Sequence, residues 1–216
     1  MTTPPLIRRY LVALRALAVL TLVLGVAYPL VITGIARLVF PDADGSLLHH
    51  DGRTVGSALI GQKFTRPVTK DGRPERDADG TPVLAADPRY FQSRPSAAGN
   101  GYDPLSTSAS NLGPDSSALV AAVRQRRAAA ARLDGVAPTR VPADALTASG
   151  SGLDPQISPA YAREQIARVA RERGLSRVRV ASLVAAHTQG RTFGFLGEPR
   201  VNVLELNLAL DAATAR

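Results

Sequence analysis

The sequence predicts an α+β fold in which a single N-terminal transmembrane helix precedes one mixed α/β extracytoplasmic domain. Two observations lead to this prediction: residues 16–36 are uncharged and apolar, and helix and strand patterns alternate in the polar remainder. That remainder has about 175 residues, enough for one domain with its own core. We therefore assign residues 1–15 to a cytoplasmic N-terminus, 16–36 to a transmembrane helix and 37–216 to the soluble domain.

The apolar run at 16–36 is long enough to cross a bilayer. As a helix its residues span roughly 31 Å, which matches the hydrocarbon core of a membrane. A cleaved signal peptide is the alternative, but its apolar region is shorter and ends at a small-residue cleavage site, for which only residues 34–36 qualify. Three arginines precede the run and only Arg37 closely follows it. This charge bias places the N-terminus in the cytoplasm and the soluble domain outside.

Five residues within the run are of types that a helix surrounded only by lipid does not need. Small residues allow a second helix to approach closely, and hydroxyl groups form hydrogen bonds across helix interfaces. A proline leaves one backbone group that a neighbour must satisfy. Although glycine and proline are common in membrane helices, this combination favours packing against a partner helix. The residues are Gly25, Tyr28, Pro29, Thr33 and Gly34.

The composition of the soluble domain excludes several classes of protein. The chain has no cysteine, so disulfides and thiol chemistry are absent. Of the net charge of +8, four positive charges flank the membrane run, and the remaining basic residues are scattered and are nearly all arginine. Because aromatic residues are few and do not alternate with basic ones, we expect no nucleic-acid binding.

The first half of the soluble domain contains a connector, a strand and a helix. The connector runs from Asp42 to Gly61 and includes an apolar strand candidate at 54–60. Residues 65–88 are rich in Pro, Gly and charged residues without apolar periodicity, which indicates a mobile loop or insertion. A helix is then expected to about residue 133, with Pro114 near its first turn and Asp115 at the positive end of its dipole.

The second half has clearer signals. Ser158 as N-cap and Pro159 at the first helical position predict a helix that Gly174 ends. Ser176 then caps a second helix with an apolar stripe. Finally, four leucines alternate with other residues within 201–210, which predicts a strand that covers the core.

We find no set of residues suited to catalysis or metal binding, and we expect no cofactor of the chain's own. Ser149 and Ser151 lie in a Gly-rich segment but lack the glycine spacing of a nucleophile elbow, and no phosphate-binding loop occurs. His187 falls on a helix stripe, where a histidine is usually a satisfied core or helix-end residue. His49 and His50 are adjacent and lack a spaced third ligand.

The order of several Gly-, Pro- and Ser-rich strings resembles a known family. The strings include YFQSRPSA at 90–97, ASGSGLDPQISP at 148–159 and GRTFGFLGEPRVNVLELNLAL at 190–210. With residues 28–30 and 33–34 of the membrane run and the strings at 45–47, 56–64, 110–114 and 168–170, they are similar to the C subunit (KdpC) of the Kdp high-affinity potassium-transporting ATPase. The departure is the stretch at 65–88, which is often shorter in that family.

The resemblance implies an accessory subunit of a multi-chain potassium pump in a prokaryotic cell membrane. Its expected partners are a potassium-channel-like subunit and a P-type ATPase subunit, with ATP and potassium bound by the complex rather than by this chain. The family is associated with assembly and stability, and one proposal is that it raises the ATP affinity of the catalytic subunit. The predicted orientation separates the soluble domain from the cytosolic ATP site, so we favour an assembly role.

Interface candidates follow from the motifs of that family. Aromatic residues and arginine contribute most of the binding energy at interfaces, and turns at 94–97 and 150–155 present short side chains to a partner. A purely internal role, in which these residues only shape loops, explains the same residue types equally well. The candidates are Tyr90, Phe91, Arg94, Asn111 and Asp154.

Two other functions remain open from the sequence. A membrane-anchored extracytoplasmic hydrolase would use Ser149 or His187, and a nucleotide-binding regulator would require the soluble domain to be cytosolic. Glu198 and Glu205 offer negative charge near an ion entrance, although solvated or paired surface carboxylates are the simpler interpretation.

Overall fold

A computed structural model describes residues 4–40, 43 and 45–214, and it separates the chain into two compact units at 1–46 and 47–216. The mixed α/β class and the single long apolar N-terminal helix are both confirmed. Asp42, where the predicted connector begins, lies outside the described residues. Each unit is described separately below.

The first unit is one nearly continuous helix. It consists of α1 (Pro5–Leu22), a π-helical segment (Val23–Ala27) and α2 (Tyr28–Val39). The stretch Leu6–Val39 is long and apolar enough to cross a membrane. The helix therefore extends beyond the predicted span of 16–36 at both ends, and its N-terminal extension includes the preceding arginines.

The π-helical segment is explained by Pro29, which lies just after it and four residues beyond Gly25. Pro29 has no amide hydrogen, and in a regular α-helix its ring would clash with the carbonyl of Gly25. Widening the preceding turn relieves that clash, and the amide of Tyr28 bonds to the carbonyl of Val23, five residues back. Pro29 therefore widens the turn that precedes it into a π-helical segment, close to the backbone group that the sequence predicted to lack a partner within the helix.

The second unit begins with a two-stranded hairpin, β1 (Leu47–His50) and β2 (Arg53–Ser57). Asp51 and Gly52, both at positive φ, form the two-residue turn that suits twisted strands. The strand predicted at 54–60 is therefore wrong in its extent. It ends at Ser57 because the Ser57 side chain accepts a hydrogen bond from the amide of Leu59 and turns the chain.

Residues 65–88 form nested antiparallel pairs. The outer pair is β3 (Thr65–Pro67) with β6 (Leu84–Ala86), and the inner pair is β4 (Thr69–Lys70) with β5 (Arg73–Pro74). Prolines and charged side chains obscure the strand pattern in the sequence, because these short strands are mostly exposed and need no apolar alternation.

Helix α3 (Ser117–Asp134) is the predicted helix with a corrected start. Ser116 is the N-cap, and its hydroxyl accepts a hydrogen bond from the amide of Leu119. Pro114 and Asp115 therefore precede the helix. Gly135, in the left-handed conformation, ends it.

The next two helices confirm the sequence predictions closely. Helix α4 (Pro159–Arg173) begins after the N-cap Ser158 and ends at Gly174, and α5 (Arg177–Ala186) begins after the N-cap Ser176. Both capping hydroxyls accept hydrogen bonds from amides three residues ahead.

The predicted strand at 201–210 is wrong over most of its length. Only Arg200–Asn202 is a strand (β9), and it lies between β7 (Gln156–Ile157) and β8 (Thr188–Gln189) in an antiparallel sheet. From Val203 the chain is helical to Thr214 (α6). The side chain of Asn202 accepts hydrogen bonds from the amides of Leu204 and Glu205 and caps this helix.

The hydrophobic core lies among α4, α5, α6 and the three-stranded sheet, with α3 packed on α4. Its buried side chains come from these elements and from the irregular segment that contains Phe91. They include Phe91, Val169, Val180, Val201, Leu206 and Leu210.

Candidate interaction site

Two buried amide side chains fix the extended segment at 90–96, which has no regular secondary structure and contains three of the predicted interface candidates, Tyr90, Phe91 and Arg94. Asn207 on α6 accepts a hydrogen bond from the Phe91 amide at 2.9 Å and donates one to the Phe91 carbonyl at 3.0 Å. Gln165 on α4 forms the same pair with Gln92, at 2.6 and 3.1 Å. These side chains replace the partner strand that an extended segment normally needs.

Arg168, near the centre of α4, is the third buried polar residue that holds this segment. Asn207, Gln165 and Arg168 are together called the frame. The Arg168 side chain is fully buried, and its Nε lies 2.7 Å from Oδ1 of Asp134, which is also buried. One terminal nitrogen donates to the carbonyls of Pro88 and Tyr90, and the other donates to Gln165. A buried guanidinium is tolerated because an opposite charge and several acceptors satisfy it.

The frame turns Phe91 inward and leaves Tyr90 half-buried. Phe91 is fully buried within the core, so the prediction that its side chain contacts a partner is wrong. Alternation along an extended segment then points Tyr90 the other way. The Tyr90 ring packs against the guanidinium of Arg173 at 4.4 Å and the ring of Phe64 at 5.4 Å, and its hydroxyl donates to Asp211.

Arg94 and Asp154, both predicted interface residues, lie together. Nη1 of Arg94 is 3.1 Å from Oδ2 of Asp154, and the two side chains are only 24% and 27% exposed. Oδ1 of Asp154 accepts a hydrogen bond from the amide of Gln156, just before α4. The pair joins the extended segment to the turn at 150–155.

The turn at 150–155 packs closely against residues 96–98. The hydroxyl of Ser96 donates to the carbonyl of Gly152 at 2.6 Å and accepts from the amides of Ala98 and Tyr102. Gly152 has φ +70°, and a Cβ there would lie 2.7 Å from the backbone nitrogen of Ala98. This contact supports the internal role of the Gly-Ser motif.

Tyr102 adds a further contact to the same turn. Its hydroxyl donates to the carbonyl of Arg94 at 2.8 Å, and burial raises the pKa of Tyr102 to about 12. The phenol is therefore a neutral hydrogen-bond donor throughout the physiological range.

A cleft of about 400 Å³ opens beside the Arg94–Asp154 pair. Three segments that are far apart in the sequence line it: Arg94, Asp154 with residues 156–158, and residues 197–200. Asp144 lines it as well. Its charged side chains are Arg94, Asp144, Asp154, Glu198 and Arg200. A cleft with both signs of charge suits a polar protein segment better than a single small anion.

The remaining polar candidates have separate positions. Asn111 is exposed and adopts a positive φ of 48° in the loop before α3. Glu198 forms two hydrogen bonds with Arg191, which agrees with the paired-carboxylate interpretation. Glu205 is half-buried in the first turn of α6.

The candidate hydrolase residues take part in local structure. The Ser149 hydroxyl accepts from the amide of Gly152, and Nδ1 of His187 lies 2.9 Å from the carbonyl of Leu183 at the end of α5. His49 contacts Thr54 across the first hairpin. Within residues 4–40, 43 and 45–214, no three acidic, histidine or cysteine side chains form a group that could bind a metal ion.

Glu164 is the unusual titratable group near the core. Burial and the negative charge of Asp134 raise its pKa to about 7, against the weaker opposing effect of Arg140. Its Oε1 and the Oδ2 of Asp134 are both buried without a hydrogen-bond partner in the described part of the chain.

The five membrane-helix candidates lie on the exposed surface of the first unit. A Cβ at Gly34 would meet no atom within 4 Å, and one at Gly25 would touch only the Thr21 side chain. Tyr28 and Pro29 adjoin the π-helical segment, and Thr33 follows one turn later.

Sequence reasoning missed the residues that build the frame. Arg168, Gln165 and Asn207 occur on helices where polar residues are normally assigned to the solvent face. Their spacing carried a signal for two of them: Gln165 and Arg168 are three apart and share the face of the buried Ala162 and Val169. The burial of Asn207 was not predicted, because its segment was interpreted as a strand rather than as the helix α6.

Comparison with known proteins agrees with the resemblance. Residues 10–212 match the family model described as "KdpC: K+-transporting ATPase, c chain". A "Potassium-transporting ATPase KdpC subunit" of Kineococcus radiotolerans is 53% identical over 96% of this chain and 95% of its own length. Proteins of the same name from Gemmatimonas aurantiaca (50%, covering 94% and 92%) and Methylococcus capsulatus (49%, covering 96% and 99%) are similar over nearly the whole chain.

Proposed function

Because this chain belongs to the KdpC family of potassium-transporting ATPase subunits, we propose that it assembles and stabilises the other chains of that pump without catalysing a reaction itself. Membership of the family implies an accessory role in potassium transport. The observation that most supports the assembly role is the cleft beside Arg94 and Asp154, where three family-like strings meet around charged side chains of both signs. Its proposed partners are a channel-like subunit and a P-type ATPase subunit.

The N-terminal helix is proposed to anchor the chain in a prokaryotic cell membrane and to pack against a partner helix. Its length and apolar composition support the anchor. Gly25 and Gly34 support close packing, because a Cβ at Gly34 would meet no atom within 4 Å and one at Gly25 would meet only the Thr21 side chain.

The packing proposal is tested by replacing residues 16–36 with a Leu/Ala helix and measuring how much of the partner chains co-purifies with the tagged full-length protein. We expect recovery to fall. A matched control keeps Gly25, Tyr28, Pro29, Thr33 and Gly34 in the same Leu/Ala background and should restore recovery. Equal recovery with all three helices would overturn the packing role.

The soluble domain is proposed to lie outside the cytoplasm, on the basis of the arginines before the apolar run. The absence of native cysteine makes a labelling test clean. In Asn100→Cys, at an exposed loop position, an impermeant maleimide should label the chain from outside intact spheroplasts. Labelling only after lysis would place the domain in the cytoplasm and would favour the nucleotide-binding regulator.

We propose that ATP and potassium bind to other chains of the complex, and that any effect of this chain on ATP affinity acts through its contacts with them. The sequence has no phosphate-binding loop. A photoreactive ATP analogue added to the purified complex should label the ATPase chain. Specific, ATP-competed labelling of this chain would contradict the proposal.

A membrane-anchored hydrolase is the alternative that the local geometry supports less. Ser149 and His187 both bond to nearby backbone groups rather than to one another. The purified chain should hydrolyse none of a broad panel of ester and peptide substrates, and Ser149→Ala and His187→Ala should leave pump activity unchanged. A hydrolytic activity that is lost in Ser149→Ala or His187→Ala would instead support the hydrolase.

A further inference from the structure

Three large apolar side chains are exposed at one tip of the soluble domain. Residues 190–199, here called the 190s hairpin, connect β8 to β9, and within them Phe193, Phe195 and Leu196 are 84%, 69% and 50% exposed. A single exposed apolar residue is ordinary, but neighbouring phenylalanines on one loop form a patch of the kind that marks an interaction surface.

The 190s hairpin has the internal hydrogen bonds of a preformed structure. Thr192 and Leu196 exchange two backbone hydrogen bonds, each 2.9 Å long, and the amide of Gly194 bonds to the carbonyl of Arg191. Below them, one guanidinium nitrogen of Arg191 lies 2.9 and 2.8 Å from the two carboxylate oxygens of Glu198. The tip therefore needs little ordering when it binds, which lowers the entropic cost of association.

The backbone at the tip of the hairpin is also strained. Phe193 adopts φ +54°, a conformation that is uncommon for bulky residues, and Gly194 and Gly197 on either side of Phe195 have positive φ as well. Such strain persists where the surrounding structure imposes it and is concentrated at functional sites. Phe193, the residue in this strained conformation, also has the most exposed side chain of the three.

The charges of the hairpin argue against a lipid surface as its occupant. Its only charged residues are Arg191 and Glu198, which bond to each other, so the hairpin offers no uncommitted cation to a phosphate headgroup. Its aromatic residues are both phenylalanine, whereas tyrosine and tryptophan are the residues enriched at membrane interfaces.

The size of the patch argues against a second copy of this chain. Each phenylalanine buries roughly 150–250 Å², whereas a stable interface between two proteins buries about 1,200–2,000 Å² in total. The tip is too small to form a dimer alone but is suited to one contact in an assembly that other surfaces also stabilise.

We propose that the 190s hairpin is a docking element whose phenylalanines enter an uncharged apolar pocket on another chain of the potassium-transporting ATPase. The proposal rests on the proposed function, because it requires that partner chain. Residues 197–200 of the hairpin and of β9 also line the charged cleft next to Arg94 and Asp154. The partner surface should therefore carry polar groups of both signs beside the apolar pocket.

The test places the photoreactive residue p-benzoylphenylalanine at position 193 of the full-length chain in cells that express the whole pump. The control places it at Leu105, which is 96% exposed elsewhere on the domain. We expect position 193 to crosslink to a pump chain identified by mass spectrometry, and position 105 to crosslink weakly. Crosslinks from 193 only to lipid, only to a second copy of this chain, or to nothing would overturn the proposal.

A second measurement separates this proposal from the proposed function. Phe193→Ser with Phe195→Ser should lower recovery of the partner chains at least about tenfold at limiting concentration, as expected for the loss of aromatic anchors. Val178→Ser, also at an exposed apolar position, should not. If the unaltered chain recovers its partners and the double variant recovers them equally, the hairpin proposal is wrong and the assembly function stands. If the unaltered chain recovers no partner, the proposed function itself is wrong.

Discussion

Arg168 is the residue on which the extended segment at 90–96 most depends. Its fully buried side chain bonds to the buried carboxylate of Asp134, to the buried side chain of Gln165 and to two half-buried backbone carbonyls. Replacing it leaves the Asp134 charge buried and uncompensated. It also removes a donor from the carbonyls of Pro88 and Tyr90, of which the Tyr90 carbonyl keeps a hydrogen bond from the Gln92 side chain at 3.2 Å.

We therefore predict that Arg168→Met lowers the free energy of unfolding by about 3–5 kcal/mol. Arg171→Met, on the same helix but with an exposed side chain that pairs with Glu172, should change it by no more than about 0.5 kcal/mol. Denaturant unfolding of the full-length chain in detergent measures both. Similar losses in the two variants would contradict the structural role of Arg168.

Gly152 and Gly150 form a matched pair within one motif. A Cβ at Gly152 would lie 2.7 Å from two backbone atoms, and its φ of +70° is strained for other residues. A Cβ at Gly150 would meet nothing within 4 Å.

We predict that Gly152→Ala lowers the melting temperature markedly, because the backbone on both sides must move, and that Gly150→Ala leaves it nearly unchanged. Thermal unfolding of the two variants decides between an internal and an external role for this turn. A larger effect at Gly150, or loss of partner recovery in Gly150→Ala without loss of stability, would instead favour the external role.

Glu164 should make stability depend on pH near neutrality. Its pKa is raised from 4.5 to about 7 in the folded protein, so between these values the folded state binds a proton that the unfolded state has released. Its stabilising contribution is complete below pH 4.5 and is lost as the pH rises through 7. The Asp87 carboxyl has the opposite shift, because its hydrogen bonds with Arg89 lower its pKa, and it stays ionised throughout this window.

We predict that the unaltered chain loses stability as the pH rises from 5 to 7.5, because Glu164 ionises in this range. Glu164→Gln should lack this part of the pH dependence, because glutamine cannot ionise. Glu172→Gln on the same helix is the control and should retain the pH dependence of the unaltered chain. Melting temperatures at several pH values measure the difference. A difference between Glu164→Gln and the unaltered chain that does not vary with pH would refute the assignment.

At the scale of elements, helix caps were the most reliable signal in the sequence. Ser158 and Ser176 were both identified as N-caps, but the structure gives them different surroundings. The Ser158 hydroxyl also donates to Asp144, and the same carboxylate accepts from the Ser158 amide. The Ser176 hydroxyl has only the cap hydrogen bond to Arg179 among the described contacts.

We predict that Ser176→Ala costs about 1 kcal/mol of unfolding free energy, as for an ordinary cap. Ser158→Ala should cost more, because the half-buried Asp144 loses one of its donors as well. Chemical denaturation of the two variants compares them directly. Equal costs would mean that the bond to Asp144 contributes nothing.

The failed prediction at 201–210 has a specific physical cause. Leucines at 204, 206, 208 and 210 alternate as in a strand, yet the buried residues at 203, 204, 206, 207 and 210 include a set with helical spacing, 203, 206, 207 and 210. The string Asn-Val-Leu-Glu at 202–205 also has the spacing of a capping box, which would have indicated the helix start. Apolar runs of this length fit both periods, so alternation alone could not decide.

At the scale of the whole molecule, the sequence was sufficient for the division into an apolar helix and a mixed α/β unit. It also selected Arg94 and Asp154, although it could not show that they pair across 60 residues of chain. Phe91 was wrongly assigned to an interface because an aromatic residue in an irregular segment looks the same whether it points inward or outward. The frame around it depends on long-range hydrogen bonds, which no local pattern encodes.

The two units together suggest how the chain would serve its proposed function. The apolar helix, which is long enough to cross a membrane, supplies a surface with small residues, and the folded unit supplies a charged cleft and the 190s hairpin. None of these surfaces requires the chain to carry out chemistry.

The most direct measurement is potassium-stimulated ATP hydrolysis and recovery of the purified pump with and without this chain, expressed from otherwise identical cells. An assembly subunit predicts that without the chain the channel-like and ATPase chains no longer co-purify, and that potassium-stimulated hydrolysis is lost. Restoring the full-length chain should restore both. A pump that assembles, hydrolyses ATP and responds to potassium equally well without the chain would contradict the assembly role.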